Sequence, residues 1–162
     1  MSVAKEFEAA NAEYAASFDK GGLQLPPQRK VAVIACMDAR LDPARALGLE
    51  EGDAHVIRNA GGRVSDAIRS VVISQQLLGT REIVIVHHTD CGMLLFTDEV
   101  IRGKIRTELG QNADHVAFLP FGDLRQSVLD DIKLLKENPL VLDVPVTGYL
   151  YEVESGRIVK VE

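Results

Sequence analysis

The sequence predicts an α/β fold in which a mostly parallel β-sheet is flanked by helices. Short apolar runs at residues 31–35 and 83–86 are typical of buried strands, because strands covered on both faces read as continuous hydrophobic stretches. Segments with apolar residues at helical spacing alternate with these runs along the chain. Strands that alternate with helices pair in parallel and bring their connecting helices against the sheet.

The first predicted element is an amphipathic helix over residues 3–18, in which apolar side chains recur at helical spacing between lysines and glutamates. Glycine and proline pairs at 21–22 and 26–27 then predict a linker. We expect residues 1–25 to form a helical arm of a single domain that spans residues 1–162. The arm packs either on its own core or on a partner subunit, and the sequence leaves both possibilities open.

The middle of the chain is predicted to hold three strands, at residues 30–36, 54–58 and 82–87. A helix is expected over residues 66–78, with Ser65 as its N-cap. A short helix or turn is predicted at residues 43–48, and further helices are predicted at residues 92–96, 99–109 and 124–137.

The C-terminal part is predicted to contain an antiparallel hairpin. Residues 146–153 and 157–161 alternate around the turn residues Ser155 and Gly156. Before them, Asp123 and Gln126 resemble a capping-box pair at the start of the last helix.

Composition and charge exclude several classes of function. The chain has 162 residues, of which 46% are apolar and 26% charged, as in ordinary globular proteins. A formal charge of −6 with scattered basic residues argues against nucleic acid or an anionic membrane as a partner. No apolar run approaches the roughly 20 residues of a membrane span, and the N-terminus lacks the apolar stretch of a signal peptide. We therefore expect a cytoplasmic protein.

Both cysteines of the chain follow predicted buried strands. Cys36 comes directly after the first apolar run, and His88 and Cys91 come after the second. Open α/β sheets place their active sites at the carboxyl ends of strands. A buried cysteine is often only a small hydrophobic core residue. However, two cysteines and one histidine that leave a fourth position open are the pattern of a catalytic zinc site. We therefore predict zinc bound by Cys36, His88 and Cys91.

Two charged residues after Cys36 suggest the chemistry of this site. Asp38 lies close enough in sequence to reach the metal or its water, and Arg40 is able to hold Asp38 in a bidentate pair. A free carboxylate beside zinc would otherwise tend to fill the open position. We therefore predict Asp38 and Arg40 as catalytic residues. His87 is expected to point away from the metal because neighbouring strand side chains alternate faces. Asp90 is either a turn residue or a residue that orients the loop around Cys91.

Three motifs in this order resemble the β-class carbonic anhydrases. They are Cys-x-Asp-x-Arg from Cys36, the run from Arg58 to Gly61, and His-x-x-Cys-Gly from His88, two of them directly after predicted strands. The resemblance implies a β-carbonic anhydrase-like fold, zinc on the three matching ligands, and hydration of carbon dioxide to bicarbonate. It also implies a homodimer or an assembly of dimers.

The chain departs from parts of the family pattern. It contains no tryptophan, which members with a non-catalytic bicarbonate pocket use, and it is similar to the compact, archaeal-like branch. Relatives hydrolyse carbonyl sulfide or carbon disulfide with the same ligands, so these substrates are one alternative. A non-catalytic zinc-binding or redox-sensing protein is the other.

Overall fold

The centre of the molecule is a five-stranded β-sheet. The computed structural model describes residues 2–161. Its strands are β1 (Val31–Cys36), β2 (Ala54–Asn59), β3 (Glu82–His88), β4 (Val146–Tyr151) and β5 (Ile158–Lys160). They lie in the order β2-β1-β3-β4-β5, in which β4 and β5 pair antiparallel and the other neighbours pair in parallel. The predicted parallel sheet with a C-terminal hairpin is confirmed.

In the described part of the chain, five α-helices connect and precede the strands: α1 (Val3–Ala16), α2 (Pro43–Leu47), α3 (Ile68–Leu78), α4 (Asp98–Leu109) and α5 (Leu124–Glu137). Short 3-10 turns follow two of the strands, at Ala60–Gly62 after β2 and at Gly92–Leu94 after β3. The helix predicted at residues 92–96 is therefore only a short turn.

The two predicted helix caps have different outcomes. Ser65 is not the N-cap of α3. A backbone hydrogen bond from Ala67 N to Val64 O closes a turn first, so the helix begins at Ile68, two residues after the predicted start at residue 66. Asp123 does cap α5, since its Oδ1 accepts from the backbone N–H of Gln126 at 2.7 Å. The Gln126 side chain bonds Asp130 instead of completing a capping box.

Alternating side chains of the central strands feed two apolar clusters, one on each face of the sheet. On one face, Ile34, Ile83 and Ile85 pack with residues of α3 and α5. On the other face, Val33 and Val86 pack with apolar residues from the segments after the strands, including Met93. Most of these side chains are fully buried, so burial of alternating residues fixes which face each strand residue occupies.

Gly148 lets α5 approach β4 closely. A Cβ at this position would lie 2.3 Å from Cγ1 of Val128 and 2.8 Å from Cδ1 of Ile132, both on α5. Those distances are far shorter than an ordinary carbon–carbon contact. The glycine therefore allows α5 to lie directly over β4 and β3, where its polar residues reach the end of β3.

The N-terminal helix α1 lies apart from these clusters. None of its described residues is buried, and Phe7 and Tyr14 are 68% and 52% exposed. Lys20 contacts Glu50 and Glu51, and the Tyr14 hydroxyl donates to Glu51 at 3.2 Å. Within residues 2–161, no helix has the length and apolar character needed to cross a membrane.

Candidate active site

Three side chains converge at the carboxyl ends of β1 and β3. Cys36 is the last residue of β1, His88 is the last residue of β3, and Cys91 follows in the next turn. The two strands are parallel neighbours, so their ends meet at the same edge of the sheet. The ligand atoms of the three residues all lie within 4.8 Å of one another, and all three residues are buried. The structure thus brings together the residues that the sequence predicted as metal ligands.

The ring of His88 is oriented for ligation. Its Nδ1 lies 2.8 Å from the carbonyl oxygen of Thr89, which only accepts, so Nδ1 carries the hydrogen. The other nitrogen, Nε2, therefore has a free lone pair, and it is buried without a hydrogen-bond partner. Burying an unpaired polar atom is costly unless another group satisfies it. An imidazole nitrogen beside two sulfur atoms is a donor set that fits zinc.

The pKa values of the two cysteine thiols shift in opposite directions. The neighbouring Cys91 sulfur lowers the pKa of the Cys36 thiol to about 4, although burial acts in the opposite direction. The same contact, together with burial, raises the pKa of Cys91. The contact between the two sulfur atoms therefore favours a negative charge at Cys36. A site of this charge attracts a cation, because thiolate rather than thiol is the metal ligand.

Asp38 and Arg40 form a bidentate pair beside the three ligands. Arg40 donates from Nε to Asp38 Oδ1 at 3.0 Å and from Nη2 to Asp38 Oδ2 at 2.9 Å, and its backbone N–H adds a bond of 2.8 Å to Oδ1. These hydrogen bonds hold the pKa of the Asp38 carboxyl well below its ordinary value. Oδ2 of Asp38 lies 3.7 Å from Nε2 of His88. The carboxylate therefore sits next to the ligand cluster while Arg40 engages both of its oxygens.

Comparisons with known proteins agree with this geometry. The family model described as carbonic anhydrase matches residues 31–117. Beta-carbonic anhydrase 1 of Mycobacterium tuberculosis (strain H37Rv) is 44% identical over 162 residues, covering 98% of this chain and 97% of the relative. The chain belongs to the β-carbonic anhydrase family. Predicted family membership is thereby confirmed.

Two further matches show which other proteins this chain resembles. The crystal structure of a carbonic anhydrase from Streptococcus mutans superimposes with a TM-score of 0.95 at 47% identity, covering 100% of this chain and 99% of that one. A carbon disulfide hydrolase from Acidianus sp. (strain A1-3) is 37% identical over 161 residues, covering 84% of this chain and 79% of the relative. The family therefore includes relatives named for two different substrates.

A cavity of about 320 Å³ opens onto the ligand cluster of this β-carbonic anhydrase family member. Apart from Asp38 and the three ligands, its lining is mostly apolar and includes Met37, Ala60, Gly61, Met93 and Phe96. The neighbouring Leu94 lines a separate cavity next to Phe121. The space beside the ligands thus suits a small molecule without charge.

Gly62 sets the position of the cavity wall. Its φ of +65° is in the left-handed region, and a Cβ there would lie 2.8 Å from the backbone nitrogen of Cys36. Only glycine combines this conformation with such close approach. The turn at Ala60–Gly62 therefore presses directly against the end of β1.

Arg58 supports the loop that carries Cys36 and Asp38. Its guanidinium donates to the carbonyl oxygens of Cys36 (3.0 and 2.8 Å), Asp38 (2.8 Å) and Leu41 (2.7 Å). These contacts to three carbonyl oxygens from one planar group fix the course of this loop. The family motif had singled out Arg58, but the sequence assigned it no role, since its acceptors are backbone atoms and leave no residue pattern.

His87 faces away from the ligand cluster, as predicted. Its ring is fully buried against α5, where Nδ1 lies 2.7 Å from Ser127 Oγ and Nε2 lies 3.2 Å from Asp131 Oδ2. Asp131 also accepts a hydrogen bond from Arg63 Nη2 at 3.0 Å. The Phe121 ring stacks on the His87 ring, with the ring centroids 5.6 Å apart. The sequence missed this network because its members come from segments distant along the chain.

Proposed function

We propose that the protein catalyses the reversible hydration of carbon dioxide to bicarbonate and a proton, with zinc bound by Cys36, His88 and Cys91. The observation that carries this proposal is the buried, unpaired Nε2 of His88 beside two sulfur atoms. Family membership and the apolar cavity next to these ligands support the same reaction.

Zinc, when bound, supplies a Lewis acid that lowers the pKa of a water molecule at its open position. Asp38 lies next to the ligand cluster, and we assign it the task of accepting a hydrogen bond from such a water. Because Arg40 keeps the pKa of Asp38 low, the carboxylate orients the water but does not retain its proton at neutral pH. The proton therefore passes on to solvent or buffer.

Arg40 has a second role in this proposal. By engaging both oxygens of Asp38, it keeps the carboxylate from taking the open ligand position itself. The apolar lining from Met93 and Phe96 receives the uncharged substrate next to the oriented water. Carbon dioxide and water enter, one carbon–oxygen bond forms as one C=O π bond and one O–H bond of water break, and bicarbonate and a proton leave.

Carbonyl sulfide or carbon disulfide is the second candidate substrate, because a relative at 37% identity is named a carbon disulfide hydrolase. The relative named a beta-carbonic anhydrase matches at higher identity and over nearly the whole of both chains, which favours carbon dioxide. A zinc-binding protein without activity is the remaining alternative, and the intact pairing of Asp38 with Arg40 weighs against it.

The organisation of the chain is proposed as a single domain with a helical arm at residues 1–25, assembled as a homodimer or a dimer-based oligomer. The exposed apolar side chains of α1 support burial of the arm against a second copy. A cytoplasmic location is proposed as well, since both cysteines are free and belong to the metal-ligand cluster.

The decisive experiment is stopped-flow hydration of carbon dioxide by protein of measured zinc content, at two pH values. Parallel assays follow hydrogen sulfide release from carbonyl sulfide and carbon disulfide. If zinc-loaded protein hydrates carbon dioxide no faster than buffer, the proposal is refuted. If either sulfur compound is turned over faster than carbon dioxide, that compound replaces carbon dioxide as the proposed substrate.

A further inference from the structure

Asp90 lies in the turn between two of the ligand residues and takes an uncommon backbone conformation. Its φ of +53° is in the left-handed region, which few residues other than glycine adopt but which aspartate tolerates. This conformation directs both its carboxylate and its carbonyl oxygen toward Arg40. Arg40 donates from Nη1 to Asp90 Oδ2 at 2.7 Å and from Nη2 to the Asp90 carbonyl oxygen at 3.0 Å.

The guanidinium of Arg40 is therefore held between two acidic residues. Its Nε and Nη2 serve Asp38, and its Nη1 and Nη2 serve Asp90. Asp38 comes from the loop after β1, whereas Asp90 comes from the loop after β3. One planar group thus joins the two loops that carry the metal ligands.

The turn that presents Asp90 is anchored through Thr89. Thr89 donates its backbone N–H to Tyr151 O at 2.9 Å, and its hydroxyl accepts from Val153 N at 3.0 Å. The Thr89 carbonyl oxygen accepts from His88. An exposed ion pair usually contributes little because ordering two free side chains costs entropy. Here the fixed turn reduces that cost, although the Asp90 side chain itself is 74% exposed.

We propose that Asp90 is a positioning residue for the reaction: it fixes Arg40 from the side opposite Asp38, and so keeps Asp38 on Arg40 and away from the open ligand position. The inference rests on the proposed function, since it concerns how the Asp38–Arg40 pair stays productive. Asp90 does not line the cavity beside the ligands but a separate hollow next to Arg40. It therefore acts through Arg40 without touching substrate.

The first test follows the Arg40 side chain directly by NMR. The Nε–H signal of Arg40 is assigned by its disappearance in Arg40→Lys, and its exchange with water is measured in metal-free and zinc-loaded protein. Asp90→Gly keeps the left-handed turn but removes the carboxylate, and it should speed this exchange by about fivefold, the upper range for an exposed ion pair. Asp90→Asn keeps an acceptor and should fall between Asp90→Gly and the unaltered protein.

Asp114→Gly is the matched control. Asp114 also forms an exposed ion pair, with Nη2 of Arg106 at 3.3 Å from its Oδ1, but this pair lies outside the site. It should leave the Arg40 signal and turnover unchanged. An Arg40 exchange rate that is the same in Asp90→Gly as in the unaltered protein overturns the inference. This measurement needs no turnover, so it decides the role of Asp90 even if the protein fails to hydrate carbon dioxide.

The second test separates positioning from a general structural role. Asp90→Gly should lower kcat by up to about fivefold with KM and zinc content unchanged, since displacement of Asp38 removes the acceptor of the water but leaves the apolar cavity that binds substrate intact. In an Arg40→Ala background the same change should cause no further loss of the residual rate. Loss of zinc, or an equal loss in both backgrounds, shows that Asp90 acts on the Cys91 turn instead and overturns the inference.

Discussion

His87 and His88 are adjacent in β3, yet their rings lie on opposite faces of the sheet. The His88 ring lies beside the two cysteines, whereas the His87 ring lies 3.2 Å from Asp131 under α5. Alternation along the strand thus divides one dipeptide between a site for a cation and a buried polar network.

The first prediction separates the two histidines by metal content. His88→Ala should lose zinc during dialysis because Nε2 is a ligand atom, and Cys36→Ser and Cys91→Ser should lose zinc with it. His87→Ala should retain one zinc per chain although it is less stable. Metal analysis of purified variants checks this, and zinc retained in His88→Ala but lost in His87→Ala would reverse the assignment.

The second prediction concerns the pair of Asp38 and Arg40. Arg40→Ala frees Asp38 to occupy the open ligand position, so it should keep zinc but lose at least about tenfold in kcat, the scale of charge-assisted hydrogen bonds. Asp38→Ala should also keep zinc and turn over slowly, since the water lacks its acceptor. A crystal structure of Arg40→Ala in which Asp38 remains turned away, together with near-normal rates, contradicts the prediction.

The third prediction concerns stability. Asp131 is fully buried and joins His87, Arg63 and the backbone N–H of Val64. Removing its charge leaves buried partners unpaired, so Asp131→Asn should lower the free energy of unfolding by about 3 kcal/mol. Its exposed neighbour on the same helix gives the control: Asp130→Asn should change stability by less than about 0.5 kcal/mol. Urea unfolding at fixed zinc concentration compares them, and equal midpoints would refute the claim.

The fourth prediction is a pH dependence of the N-terminal arm. Lys20 lowers the pKa of Glu51 below its ordinary value, so the arm-bound carboxylate takes up a proton less readily than a free one. The attachment is therefore complete above the ordinary glutamate pKa of about 4.3 and is lost as the pH falls through the lowered value. The ring signals of Tyr14 should report this release in an acid titration. Glu51→Gln should remove the acid transition, and a transition that persists in this variant argues against Glu51.

The fifth prediction concerns assembly. Deleting residues 1–20 exposes whatever surface the arm covers in a second copy, so the truncated protein should dissociate at higher concentration than the full chain. Sedimentation of both forms measures the difference. A full-length monomer contradicts the proposed dimer, and an unchanged dissociation constant removes the arm from the interface.

Much of the fold was predictable because it follows from local patterns. The strands predicted at residues 30–36 and 82–87 agree with β1 and β3 to within one residue at each end, and strand ends explain why Cys36 and His88 meet. The predicted start of α3 was wrong. The choice between a capped helix and a preceding turn depends on the hydrogen bond from the backbone N–H of Val64 to Asp131. That contact is formed in space and has no trace in the residues around Ser65.

The parts of the site that escaped prediction share one physical origin. Arg58 binds backbone oxygens, which every residue possesses, and Asp90 reaches Arg40 only because its backbone turns into the left-handed region. Neither property depends on side-chain pattern. Metal ligands are recognisable because few residue types serve, whereas supporting contacts draw on atoms common to the whole chain.

The absence of a side chain at Gly62 determines how closely two backbone segments approach each other. With no Cβ at Gly62, the turn after β2 lies directly against the backbone of β1 at Cys36. An alanine at this position would act as a wedge, pushing the wall outward and widening the chamber beside the ligands. The absence of a side chain at Gly62 thus helps to set the width of the chamber beside the ligands.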